Sequence, residues 1–194
     1  MNFGEILLMM FTAILVENFI FSRFYGICPF LGVSSQPDTA LGMGLAVTFV
    51  ITISSAVTWA VYEFLLLPFE LDFLKTIAFI LVIAALVQFI EMFLRKFIPS
   101  LYASLGIYLP LITTNCAVLS SALLNVQNGY GFIESVCFGL AASLGFTLAI
   151  VVFAGVRARL RDAKPPKSFE GFPLTLIAAG LLAMAFAGFS GVRF

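Results

Sequence analysis

The chain has 194 residues, of which 62% are hydrophobic and 10% charged, and its formal net charge is zero. Soluble domains carry roughly 25% charged residues, so this composition cannot cover a water-exposed surface, and it predicts an integral membrane protein. Zero net charge gives no electrostatic footprint for nucleic acid. The absence of histidine removes the commonest acid/base group and metal ligand near neutral pH.

A membrane-spanning helix needs about 20 mostly apolar residues, and six runs meet that need. The start, Met1-Asn2-Phe3-Gly4-Glu5, lacks the basic segment of a cleavable signal peptide, so the first run, 3–21, is expected to be kept. The second, 39–62, follows Gln36-Pro37-Asp38, which reads as a loop with a helix cap. The third, 76–93, follows the polar-studded Glu70-Leu71-Asp72. The fourth, 102–124, is interrupted by Pro110. The fifth, 132–156, comes after the turn-like Gln127-Asn128-Gly129-Tyr130-Gly131, and the sixth covers 172–192. Lipid offers no partner for backbone polar groups, so the spans must be helices or a closed barrel. Barrel strands would be shorter and would alternate polar with apolar residues, which these runs do not.

Loops after the first, third and fifth runs hold Arg23, Arg95, Lys96, Arg157, Arg159, Arg161, Lys164 and Lys167. The positive-inside rule makes those loops cytoplasmic and puts both termini outside. A shift by half the chain places Asn18 on Asn115, Gly42 on Gly139 and Phe49 on Phe146. Three spans per half would then give inverted repeats, as in many transporters. The expected fold is an all-α integral membrane protein, a single membrane domain over 1–194. It has six transmembrane helices as two inverted three-helix repeats, 1–97 and 98–194. Helices one and four are broken or followed by re-entrant segments.

Three cysteines form no even-numbered disulfide framework. Cys116 lies near the middle of the fourth run, behind Thr113, Thr114 and Asn115. Polar side chains at that depth are costly unless they face protein or a cavity. Cys28 lies in the stretch 25–33, which stays apolar but carries Gly26, Pro29 and Gly32, and reads as re-entrant. Either cysteine could be a small buried hydrophobe or a metal ligand, and the residues leave both readings open. Cys137 fits packing. If metal is bound, soft thiolates and a buried setting favour iron–sulfur over zinc. A [2Fe–2S] cluster usually takes four cysteines, so a partner would have to supply two. Intramembrane acids are the rival candidates for ion handling. Glu17 stands beside Asn18; Gln88 and Glu91 share a helix face, with Glu91 placed to pair with Arg95; Glu134 lies near a helix end. The small residues Gly42, Gly44 and Ala46, with Gly139, Ala141 and Ala142, allow close helix packing.

The segments Ile27-Cys28-Pro29-Phe30-Leu31-Gly32-Val33-Ser34 and Leu109-Pro110-Leu111-Ile112-Thr113-Thr114-Asn115-Cys116-Ala117-Val118-Leu119 carry a resemblance, joined by 41–46, 78–84 and 187–191. The chain resembles, over essentially its whole length, the A subunits of Rnf electron-transport complexes. That family also includes the D and E subunits of the sodium-pumping NADH:quinone reductase. The resemblance implies six helices in inverted repeats, pairing with the homologous membrane protein RnfE in opposite orientation. It implies a [2Fe–2S] cluster shared between the two, with Cys28 and Cys116 as this chain's ligands. Gly26, Thr113, Thr114 and Asn115 would be the ligands' hydrogen-bonding neighbours. It implies a multi-subunit translocase of the bacterial cytoplasmic membrane, with the B, C, D and G subunits of Rnf as further partners. That complex moves electrons between ferredoxin and NAD and couples this to Na+ or H+ transport. Flavins and NAD would bind other subunits; no Gly-rich dinucleotide fingerprint occurs here. Two other readings stand beside it: a secondary transporter with a broken-helix substrate site at 110–115, and a structural scaffold with inert cysteines.

Overall fold

The computed structural model describes residues 3–68, 72–97, 109–161, 166 and 169–188. All regular structure among them is helical. Helix α1 (Phe3–Phe11) continues as a π turn over Thr12–Val16, and α2 is the short helix Ile27–Val33. Helix α3 (Pro37–Val61) is lengthened by a π turn, Tyr62–Leu66, and a 3-10 turn (Asp72–Leu74) leads into α4 (Lys75–Phe97). Helices α5 (Leu109–Thr113) and α6 (Cys116–Gln127) are separated by a break. Helices α7 (Phe132–Leu160) and α8 (Phe172–Ala187) complete the order.

Local sequence explains the ends. Pro37 occupies the first turn of α3, where its missing N–H costs nothing, and Asp38 beside it favours the positive end of the helix dipole. Arg157 and Arg159 stand in the last turn of α7, at the negative end. The Glu134 carboxylate accepts from the Gly131 N–H at 3.0 Å, which ties the start of α7 and places Glu134 at a helix end, as expected.

Three helices are long and apolar enough to cross a membrane: Pro37–Leu66, Lys75–Phe93 and Phe132–Leu160. Three shorter apolar helices cover Gly4–Val16, Leu111–Gln127 and Phe172–Ala187. Each of the six apolar runs contains helix, the fourth in two pieces, but among the described residues only three helices have spanning length, not the six expected. The first run was expected to stay helical through residue 21. Its helix ends at Val16, and turns occupy the chain from Phe19 to Gly26. Among the described residues the fourth breaks at Thr114 and Asn115. Pro110 is helical within α5. Residues 102–108 and 189–192, parts of the fourth and sixth runs, lie outside the described residues.

The core sits between α3 and α7. Val47, Val50 and Ile51 on one helix, and Phe146, Ile150 and Phe153 on the other, are buried. The axes approach closely because Gly44 faces Thr147 and Gly139 faces Ser55; a Cβ on Gly44 would meet Thr147 Cγ2 at 2.6 Å. The outer surface is apolar: Phe49, Leu81, Phe89, Met92 and Ile133 are exposed. A patch of that kind belongs against lipid or a partner chain.

Candidate functional site where two helix breaks meet

The first break is organised by Asn18, which is fully buried. Its Nδ2 donates to the Ile14 carbonyl at 3.1 Å and, across the fold, to the Gly145 carbonyl at 2.8 Å. Its Oδ1 accepts from the Ile20 N–H at 3.0 Å. Ending a helix in apolar surroundings frees backbone groups that must find partners, and this one amide serves several. Glu17 and Arg23 pair at 2.8 Å across the same turn. Both side chains are partly exposed, so Glu17 is a locally paired acid. The segment closes on Phe24 (φ 58) and Gly26 (φ 80), both left-handed.

Gly26 is where the breaks join. Its N–H donates to Cys116 Sγ at 3.0 Å, linking positions 90 residues apart. Only glycine suits this position, because a Cβ there would lie 2.8 Å from Phe146 Cε2 and 3.3 Å from Ala117 Cβ. Cys28 follows in the first turn of α2. Cys116 opens α6, behind Asn115, whose Oδ1 caps the helix by accepting from the Ala117 N–H at 3.0 Å.

Cys28 and Cys116 are both exposed, whereas Cys137 is only partly so. A cysteine used for packing within its own chain is among the most buried of residues, so these two face lipid or a partner chain. The Asn115 Nδ2 is buried and has no hydrogen-bond partner, an orphan donor next to Cys116. An N–H aimed at a ligating sulfur is the contact that tunes a metal thiolate. Among the described residues no group of three or more His, Cys, Asp or Glu gathers to hold a metal. Two thiols, that of Cys116 accepting the Gly26 N–H, fit half of a four-thiolate set. Thr113 ends α5, half-buried, and Thr114 stands exposed at the break. The Gly26 N–H bond to Cys116 thus brings the segment that carries Cys28 to the start of α6.

Sequence reading missed three features. Asn18 entered only as a repeat position, yet it organises the first break. Arg157 and Arg161 entered only as topology signals, yet Arg157 donates to the Leu31 carbonyl at 2.8 Å and the Ser34 hydroxyl at 2.9 Å, and Arg161 to the Ser35 carbonyl at 2.7 Å. A polar seam also joins α3, α6 and α7. Ser55 and Ser121 hydroxyls lie 3.4 Å apart, Asn125 Nδ2 donates to the Ser135 carbonyl at 3.4 Å, and Trp59 Nε1 donates to the Tyr130 carbonyl at 3.1 Å. The helical spacing of Ser54, Ser55 and Thr58 on the core face of α3 was the available signal. Burial holds the Tyr130 phenol above its ordinary pKa; the Asn128 hydrogen bond opposes this, and the Glu17 and Glu134 charges add to the rise.

The family model described as "Rnf-Nqr subunit, membrane protein" matches residues 6–193. The chain is 60% identical, over 97% of its length and 98% of the relative, to the A subunit of the Na(+)-translocating ferredoxin:NAD(+) oxidoreductase complex of Acetobacterium woodii. It is 58% identical over 97% of both chains to the A subunit of the ion-translocating oxidoreductase complex of Syntrophotalea carbinolica. It is 56% identical, again over 97% of both, to the protein of the same name from Aromatoleum aromaticum. Apolar helices with small-residue contacts, two breaks joined through a cysteine, and likeness along nearly the full length agree: this chain belongs to the Rnf-Nqr family of membrane subunits.

Proposed function

We propose that the chain is the A subunit of an ion-translocating ferredoxin:NAD oxidoreductase and works only within that complex. In this reading Cys28 and Cys116 are two of the four ligands of a [2Fe–2S] cluster shared with a homologous membrane protein, RnfE. A bound cluster would supply a one-electron relay inside the membrane. The chain's own part is to hold two thiolates at fixed helix ends and to donate the Gly26 N–H to that of Cys116. Its apolar surface keeps bulk water from the site. Gly26 holds the Cys116 sulfur in register, and Asn115 fixes the start of α6. Flavins and NAD belong to other subunits, with the B, C, D and G subunits of Rnf as partners. The transported ion is Na+ or H+; the name of the Acetobacterium woodii relative favours Na+.

One observation carries this reading: the Gly26 N–H bond to Cys116 Sγ joins the two breaks while both cysteines stay exposed. Asn18 and Asn115, half a chain apart, each accept through Oδ1 from the N–H two residues on. That shared device supports two inverted halves, 1–97 and 98–194, within one membrane domain. The basic ends of α4 and α7 support cytoplasmic loops there and termini outside, in a bacterial cytoplasmic membrane.

The test is the purified complex with native Cys116 and with Cys116→Ser, read by the [2Fe–2S] EPR signal and iron per complex. Loss of one cluster's signal and iron, with every subunit retained, is expected. An unchanged signal would move a transporter or scaffold reading ahead.

A further inference from the structure

Helix α2 has seven residues. Helices this short do not hold themselves together in isolation, so Cys28 is placed only as well as the contacts that hold α2. Helices α3 and α5 touch it, Phe21 meets Phe30 edge-on at 5.7 Å, and α7 adds an aromatic and a charged contact. Phe153 stacks on Phe30 at 4.3 Å with the rings 16° apart, and Phe146 lies under Gly26. At the far end, the carbonyls of the last turn have no partner within the helix. Thr39 donates to the Val33 carbonyl, and Arg157 reaches that of Leu31, one guanidinium nitrogen donating to it and to the Ser34 hydroxyl. Ser34 is fully buried, so its hydroxyl has no water to turn to if the arginine is lost. Arg161 continues the line on the Ser35 carbonyl. Phe146, Phe153 and Arg157 recur at spacings of seven and four, and so share one face of α7. Helix α6 carries Cys116 on 12 residues with its own Asn115 cap, and has less need of such a brace.

We propose that Arg157 is the positioning residue of the Cys28 helix, and that its fixed positive charge raises the reduction potential of the group ligated there. The proposal rests on the two cysteines being cluster ligands. Reduction adds a negative charge, and in a low-dielectric site a nearby guanidinium stabilises it. Of the basic residues at that helix end, Arg157 is the one that bonds within α2, while Arg161 bonds just beyond it at Ser35; Arg159, two residues on, is exposed and serves as the control.

The experiment uses the whole complex, carrying Arg157→Gln, Arg157→Lys or Arg159→Gln. Two quantities are read: the midpoint of the EPR signal on redox titration, and the rate at which Cys28 is alkylated by a maleimide in iron-depleted complex. Arg157→Gln should lower the midpoint and speed alkylation about tenfold, the size expected when a charged donor is removed from a buried acceptor. Arg157→Lys should restore most of the midpoint, because the charge remains. Arg159→Gln should change neither. A wild-type midpoint and a wild-type alkylation rate in Arg157→Gln would overturn the proposal. If that variant does not assemble, Ser34→Ala carries the same comparison, and an unchanged alkylation rate there overturns it. Failure of the cluster reading shows separately, as a signal that survives Cys116→Ser, and the alkylation rate still decides the positioning role.

Discussion

The two helix breaks reach one place by different means. The first takes ten residues, from Glu17 to Gly26, and needs an ion pair, two left-handed residues and Asn18 bonding to two other elements. The second takes two residues, Thr114 and Asn115, and one side-chain cap. In the first, Cys28 lies ten residues beyond its asparagine; in the second, Cys116 follows directly. The long break delivers a backbone N–H to the other half's sulfur, and the short break delivers the sulfur. The complexity of the first break is the cost of turning the chain back through an apolar interior with every polar group matched.

Gly26→Val should have the largest effect of the substitutions that test this contrast. It puts a β-branched side chain at φ 80 and against Phe146, and should cost about 3 kcal/mol or more in strain and overpacking. Denaturant or SDS unfolding of the purified complex reads this, and near-native stability would show that the breaks do not meet at Gly26. The asparagines should then separate. Asn18→Ala strips partners from the buried Gly145 carbonyl and the Ile20 N–H, for about 2 kcal/mol. Asn115→Ala loses one cap, for about 1 kcal/mol. Equal losses in the same unfolding assay would break the comparison. Glu17→Gln should be smallest, below about 1 kcal/mol, because the pair with Arg23 is solvent-accessible. A larger loss on unfolding would make that ion pair, rather than Asn18, the organiser of the first break.

The apolar runs were legible because the pattern that crosses a membrane is local and long. Helices α3, α4 and α7 follow it closely, and the expected start at residue 39 moved only to Pro37. The breaks were less legible. Pro110 drew attention to the fourth run, and the residues just before it, 98–108, lie outside the described residues. The actual break falls where Asn115 can cap the next helix. Phe19, Ile20 and Phe21 are apolar and follow directly on Glu17 and Asn18, so an apolar run drawn through them carries the helix past Val16. What ends it is the Asn18 bond to Gly145, far along the chain.

Composition and the spacing of residues within single elements were enough to place this protein in a membrane, to mark its apolar helices, and to single out the cysteines in helix-weakening surroundings. The energies behind those features are local, so they can be read without knowing what packs against what. Three-dimensional packing was needed to bring Gly26 to Cys116, to turn both cysteines outward, and to set Arg157 as a brace on the Cys28 helix. The Gly26 and Arg157 contacts span 90 and 126 positions of the chain. Such contacts arise because polar groups freed at the breaks have no water to turn to and must find one another.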